Sequence, residues 1–132
     1  MIVFADTSGL FAFLVQDDNM HVRAKAVFQS FAEDNSQLLT SSYVLVETTA
    51  LLQRRVGVDA VLEFHNKIQP LLDVIWVDDH WHEKAVNRLI ALNQKKVSLV
   101  DCLSFIIMEA REISTAFSFD KHFEKNGFSL AE

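Results

Sequence analysis

The sequence predicts a three-layer α/β/α fold with a central parallel sheet of four or five strands. Two observations carry this. Ile2-Val3-Phe4-Ala5 is a continuous apolar run that ends in Asp6-Thr7-Ser8. That is the pattern of a strand buried on both faces, with polar residues at its carboxyl end, where open α/β sheets keep their ligands. Further short apolar runs recur along the chain, separated by helical stretches. Strands spaced in this way pair in parallel through right-handed crossovers, with helices on both faces of the sheet. At 132 residues the chain is long enough for one domain with a real core and too short for two ordinary ones, so a single domain over 1–132 is expected.

Taken in order, Leu10, Phe11, Phe13 and Leu14 suggest a short helix entered at Thr7 or Ser8 as N-cap, with Gly9 weakening its first turn. Gln16 to Asn19 is a loop. A helix is predicted from His21 to Glu33, with Val22, Ala26, Val27 and Phe31 on its inner side and Arg23, Lys25 and Gln29 outside. Gln37 to Thr40 is a short second strand. Ser41 or Ser42 caps a helix that reaches Val56 and stops at Gly57. A further helix spans about Asp59 to Gln69 and is closed by Pro70, so that the two form an antiparallel hairpin or a bent arm. Val74 to Val77 reads as a third buried strand. Asp78 or Asp79 caps a helix to about Leu92, Asn93 to Lys96 is a basic loop, and Ser98 opens a helix from Leu99 to Arg111. Thr115 to Phe119 is the fourth strand, Asp120 to Lys125 a helical turn, and Phe128 to Leu130 a last strand after the Asn126-Gly127 turn.

Composition narrows the class. Half the residues are hydrophobic and 23% are charged, which excludes a disordered chain. The single cysteine, Cys102, rules out an internal disulfide and fits a reducing compartment; it is expected in the core. No basic segment precedes the first apolar run, and Leu10 to Val15 is far short of the ~20 residues that span a bilayer, so the expected location is the cytoplasm. A net charge of −6 is unusual for a nucleic-acid partner. Setting aside four metal-facing acids leaves −2, and one or two divalent cations then turn an anion-repelling site into an anion-accepting one.

Those four acids are Asp6, Glu47, Asp101 and Asp120. Asp6 and Asp120 each follow a predicted strand at its carboxyl end. Asp101 lies in the first turn of a helix, and Glu47 lies about one and a half turns into the helix after the second strand. In a doubly wound sheet these positions face one crevice. Each acid has a plainer reading. Asp6 and Asp120 serve equally as N-caps, and Ser98-Leu99-Val100-Asp101 matches a capping box. Glu47 has Tyr43, Val44, Ala50 and Leu51 as helical neighbours, which places it in an apolar stripe, where a carboxylate needs a cation, a hydrogen-bond network, a proton or an arginine partner. An all-oxygen ligand set selects Mg²⁺ or Mn²⁺ over zinc, and clustered carboxylates around such ions activate water for phosphodiester cleavage.

The chain resembles a PIN domain, and most of all the VapC-type ribonuclease toxins of bacterial toxin–antitoxin pairs. The resemblance rests on Asp6-Thr7-Ser8, on Glu47 in Ser42-Tyr43-Val44-Leu45-Val46-Glu47, on Val97-Ser98-Leu99-Val100-Asp101 before Ser104-Phe105, and on Phe117-Ser118-Phe119-Asp120-Lys121-His122-Phe123. It spans nearly the whole chain in the family's order and spacing. It implies a Mg²⁺-dependent endoribonuclease with Asp6, Glu47 and Asp101 as main acids and Asp120 as a fourth that often acts through water. Thr7 or Ser8, and Ser118, match the hydroxyls that support such a pocket. The resemblance also implies an RNA substrate, a homodimer and a small antitoxin protein as partner.

Arg54, Arg55, Lys95, Lys96 and Lys121 are the basic residues placed to guide RNA, although Arg54-Arg55 also suit a helix C-terminus for its dipole alone. His122 is a candidate for contact with substrate phosphate or for acid catalysis, and reads equally as a plain surface histidine. His80 and His82 beside Asp78 and Asp79 suggest zinc only weakly, since positions i and i+2 do not share a helix face. Two other functions compete. One is a non-catalytic binding module that uses Ser42 to Gln69 for protein contacts. The other is a haloacid-dehalogenase-type phosphatase, which needs a second aspartate where this chain has Ser8.

Overall fold

The computed structural model describes residues 1–132. Five parallel strands lie in the order β3-β2-β1-β4-β5: β1 Ile2–Ala5, β2 Gln37–Ser41, β3 Leu72–Ile75, β4 Thr115–Phe117 and β5 Ser129–Leu130. Seven helices flank them: α1 Thr7–Leu14, α2 His21–Glu33, α3 Ser42–Arg55, α4 Val58–Glu63, α5 Asp79–Leu92, α6 Leu99–Ala110 and α7 His122–Lys125. The α/β/α architecture read from the sequence is the one observed. α1 packs on α2 and α3, and α5 on α6. A core of 28 buried residues fills the interior, among them Phe4, Phe64, Phe105, Phe117 and Phe123, with Cys102 fully enclosed.

The strand order decides where the site lies. From β1 the chain moves outward to β2 and then β3. It then returns to lay β4 against the other side of β1, in register Phe4 to Ala116 and Ala5 to Phe117. The order therefore reverses between β1 and β4, and the crevice beyond their carboxyl ends is the topological switch point of the sheet. Asp6 leaves β1 there, and Ser118 leaves β4 beside it; the Asp6 N–H donates to Phe117 O at 3.1 Å.

Several elements differ from expectation. β3 begins two residues earlier than the run Val74–Val77 and is not buried on both faces: it pairs only with β2, and Trp76 is 68% exposed. As an edge strand it has no neighbour to bury its far side. β4 stops at Phe117, because Ser118 to Asp120 turn their polar groups inward to the crevice. On α2 the buried stripe is Ala24, Val27 and Phe31, while Val22 (81% exposed) and Ala26 face outward. α1 takes Asp6, not Thr7 or Ser8, at its N-cap position, with no capping bond from its side chain. The arm after Gly57 starts at Val58 and loosens into a π-turn at Phe64–Ile68 and a 3₁₀ turn at Gln69–Leu71 around Pro70.

Candidate metal centre

Asp6 is buried, 4% exposed, at the mouth of the crevice. Its Oδ2 accepts two hydroxyl protons, from Ser8 at 3.1 Å and from Ser118 at 3.0 Å. Each serine takes a backbone amide in return: Phe119 N–H donates to Ser8 Oγ at 2.9 Å and Asp120 N–H to Ser118 Oγ at 3.0 Å. The two strand ends are thus laced together around one carboxylate oxygen. Burial is the main cause that pushes the Asp6 carboxyl up to about 7, the Asp101 charge adds to it, and the two serines partly offset it.

Asp101 sits in the first turn of α6 within a complete capping box. Its N–H donates to Ser98 Oγ, and its Oδ2 accepts the Ser98 N–H, both at 3.1 Å. The capping reading is therefore correct, and the same side chain also reaches the crevice, where Oδ2 lies 3.7 Å from His122 Nδ1. Asp120 likewise does two things. Its Oδ1 accepts the His122 N–H at 2.9 Å, which closes the turn into α7, and it lies 3.0 Å from His122 Nδ1. Glu47, on α3, is half-buried at the border of the apolar stripe and not inside it; the enclosed positions are Val44, Leu45, Thr48 and Leu52. It takes a hydrogen bond from Thr7, whose own oxygen accepts the Thr48 hydroxyl at 3.1 Å.

The carboxyl groups of Glu47 and Asp101 are both raised, first by burial and then by neighbouring acids: Asp101 and Asp120 act on Glu47, and Asp120 acts on Asp101. The four acids are therefore within electrostatic reach of one another. None of them is paired with lysine or arginine. The plainer reading of Glu47, a core glutamate with an arginine partner, is thereby excluded. A set of hard oxygen donors that repel one another and have no lysine or arginine partner fits a divalent metal ion. Asp101, Asp120 and His122 each offer a donor atom, and all three atoms lie within 4.8 Å of one another.

The other predicted residues separate. Arg54 and Arg55 are exposed at the end of α3, and the Arg55 guanidinium lies 5.7 Å over the Phe11 ring, in a groove that it shares with Asp17, Asp18, Asp59 and Glu63. Lys95 and Lys96 are exposed in the loop before Ser98 and make no ion pair. A groove of about 980 Å³ runs between α2 and the β4–β5 end of the sheet past Arg23 and Lys121; it meets the acidic crevice only at Ser118, and none of the four acids lines it. His80 and His82 form no metal cluster, and His82 instead bonds the Tyr43 hydroxyl. One contributor is not singled out from the sequence: Thr48 follows Glu47 directly and reads as a helix-face threonine.

Comparison with known proteins agrees with this arrangement. The PIN domain family pattern matches residues 3–129. Two curated relatives, from Mycobacterium tuberculosis strains CDC 1551 and H37Rv, are named 23S rRNA-specific endonuclease VapC20. Each is 32% identical over 128 residues, covering 96% of this chain and 95% of the relative. The crystal structure of M. tuberculosis VapC20, described as a sarcin-ricin loop cleaving toxin, superposes with a TM-score of 0.86 at 31% identity, over 97% of this chain and 96% of that one. Both names are those of RNA endonucleases, the activity that the resemblance implies. With the family pattern spanning nearly its full length and relatives above 30% identity along it, the chain belongs to the PIN domain family.

Proposed function

We propose that the chain is a divalent-metal-dependent endoribonuclease of the VapC toxin type, with Asp6, Glu47, Asp101 and Asp120 as the acids that hold Mg²⁺ or Mn²⁺. The observation that carries this is the group of donors from Asp101, Asp120 and His122 at the sheet's switch point, whose acidic charges act on Asp6 and Glu47, with no lysine or arginine paired to any of the four acids. A bound ion there supplies charge neutralisation for a phosphodiester and a water that is nucleophilic at neutral pH. The chain's own part is to keep the acids in place. Ser8 and Ser118 fix Asp6, the Ser98 amide fixes Asp101, the His122 amide fixes Asp120, and Thr7, itself held by Thr48, bonds Glu47. Such preorganised donors need no rearrangement as charge develops.

The names of the relatives support ribosomal RNA as the substrate class. Arg54, Arg55, Lys95, Lys96 and Lys121, all exposed, are available to its backbone phosphates. The same relatives support a small antitoxin as partner, and family resemblance supports a homodimer. No helix of the chain is long and apolar enough to cross a membrane, and action on RNA in the cytoplasm is the accompanying proposal. The experiment is induced expression of wild type and Asp6→Asn with growth and RNA integrity followed, together with cleavage of purified RNA with Mg²⁺ or with excess EDTA. Wild type cleaves with Mg²⁺ and stops in EDTA, while Asp6→Asn stays folded and inactive. Undiminished cleavage in EDTA, or by Asp6→Asn, overturns the reading.

A further inference from the structure

The four acids alone make an all-oxygen site, and the His122 ring lies beside two of them. Its Nδ1 is enclosed, has no aligned hydrogen-bond partner, and points between two acids, 3.0 Å from Asp120 Oδ1 and 3.7 Å from Asp101 Oδ2. We propose that His122 Nδ1 is itself a metal ligand beside Asp101 and Asp120, which makes the centre a mixed nitrogen–oxygen site and tilts its preference from Mg²⁺ toward Mn²⁺. This rests on the divalent-metal reading above and adds one ligand to it.

Two of the donor spacings suit a single ion. Donors about 2.1 Å from an octahedral centre lie about 3.0 Å apart when adjacent and about 4.2 Å apart when opposed, and His122 Nδ1 lies 3.0 Å from Asp120 Oδ1 and 3.7 Å from Asp101 Oδ2, both within that range. The local chain holds the ring in this position. The His122 N–H to Asp120 Oδ1 bond closes a tight turn that sets both side chains on one side. Phe123, the next residue, is fully buried and meets Phe105 of α6 edge-on at 5.2 Å, so α7 is anchored to the helix that carries Asp101. A histidine that merely neutralised the acids would align an N–H with one of them; Nδ1 does not. A neutral imidazole nitrogen offers a lone pair, which Mg²⁺ uses poorly and the transition-series divalent ions use well, with Mn²⁺ the one among them that also favours carboxylates.

The test is pulsed electron paramagnetic resonance on the metal-free full-length chain reloaded with Mn²⁺, which detects directly bonded ¹⁴N without reference to activity. Wild type is expected to show imidazole nitrogen coupling. His122→Ala and His122→Gln are expected to lose that coupling, to bind Mn²⁺ about tenfold or more weakly by titration, and to bind Mg²⁺ with little change, so that the Mn²⁺ to Mg²⁺ affinity ratio falls. Two outcomes overturn the proposal while leaving the metal-nuclease reading intact: Mn²⁺ bound to wild type with no nitrogen coupling, or coupling that persists in folded His122→Ala. Wild type that binds no Mn²⁺ at all overturns both. If His122→Ala does not fold, His122→Gln and the wild-type spectrum decide.

Discussion

Ser118 and Asp6 stand 112 residues apart in the chain and share a 3.0 Å hydrogen bond, hydroxyl to carboxylate, across the switch point of the sheet. Ser8 donates to the same oxygen at 3.1 Å. Asp6 Oδ2 therefore takes two protein hydroxyls, and these hold the carboxylate in place before any cation arrives.

The raised carboxyl of Asp6 has a consequence for stability. A group held at about 7 in the fold, against an ordinary 3.8, binds more protons folded than unfolded between those values. The metal-free protein therefore loses stability as pH rises from about 4 to about 7 and then levels off. The loss is on the order of 4 kcal/mol for this one group. Burial and mutual repulsion raise Glu47 and Asp101 as well, and act in the same direction. Urea unfolding in EDTA at pH 4.5, 6 and 8 checks this. Asp6→Asn removes the charge and is expected to be the more stable protein at pH 8 without metal, so subtracting its profile isolates Asp6. Saturating Mg²⁺ or Mn²⁺ removes the wild-type decline, since bound metal favours the ionised form.

Thr48 supports the opposite wall. It is fully buried, and its hydroxyl donates to Thr7 Oγ1, which leaves the Thr7 proton for Glu47. Thr48→Val keeps the shape and deletes the donor. The expected cost is about 1 kcal/mol of stability, with metal affinity lower by about 10–100-fold as Thr7 loses its fixed orientation. Thr48→Ser should restore both. Calorimetric titration with Mn²⁺ against thermal melts separates the effects; unchanged affinity in Thr48→Val would reduce Thr48 to a packing residue.

Each of the four acids carries a local mark in the sequence: the end of an apolar run for Asp6 and Asp120, a capping serine for Asp101, and apolar helical neighbours for Glu47, which the fold places at the border of the buried stripe. What the residues could not reveal depends on contacts between distant segments. The His122 ring meets Asp101 only because Phe123 seats α7 against Phe105. Thr48 faces Thr7 only because α3 packs on α1. The error in β3 has a simpler cause. Trp76 and Val77 have strand-like side chains, yet the ladder with β2 runs from Leu72 to Ile75, and Trp76 lies beyond it in solvent. Apolar character marks a strand poorly at a sheet edge, where one flank is open to solvent.

Ser98 permits a sharper separation of cap from site. Its hydroxyl accepts the Asp101 amide, while its own amide donates to the Asp101 carboxylate. Ser98→Ala deletes only the first bond, and is expected to cost about 1 kcal/mol of stability with metal affinity nearly unchanged. Ser98→Pro, at a φ of −80° that proline accepts, deletes the second as well. It is expected to weaken metal binding beyond the alanine variant. Equal metal affinity in the two variants would mean that the Ser98 amide does not hold Asp101 for the ion.

Gly9 gives the most severe prediction outside the acids. From the sequence it looks like a weak point in the first turn of α1. In the fold it is the point at which α1 presses on β4. A Cβ at position 9 would stand 2.3 Å from Phe117 O and 2.8 Å from Phe117 C, and these are backbone atoms that no rotamer change can move. The same carbonyl oxygen accepts the Asp6 N–H at 3.1 Å, so a shift of β4 pulls on the Asp6 backbone and on Ser118 together. Gly9→Ala therefore loses at least the roughly 1–3 kcal/mol typical of overpacking, although alanine is the better helix former by about 1 kcal/mol. The variant should melt well below wild type. Where it still folds, metal affinity should drop in parallel, because the Asp6–Ser118 lacing is what moves. A Gly9→Ala protein as stable as wild type would show that α1 and β4 are not packed as closely as described.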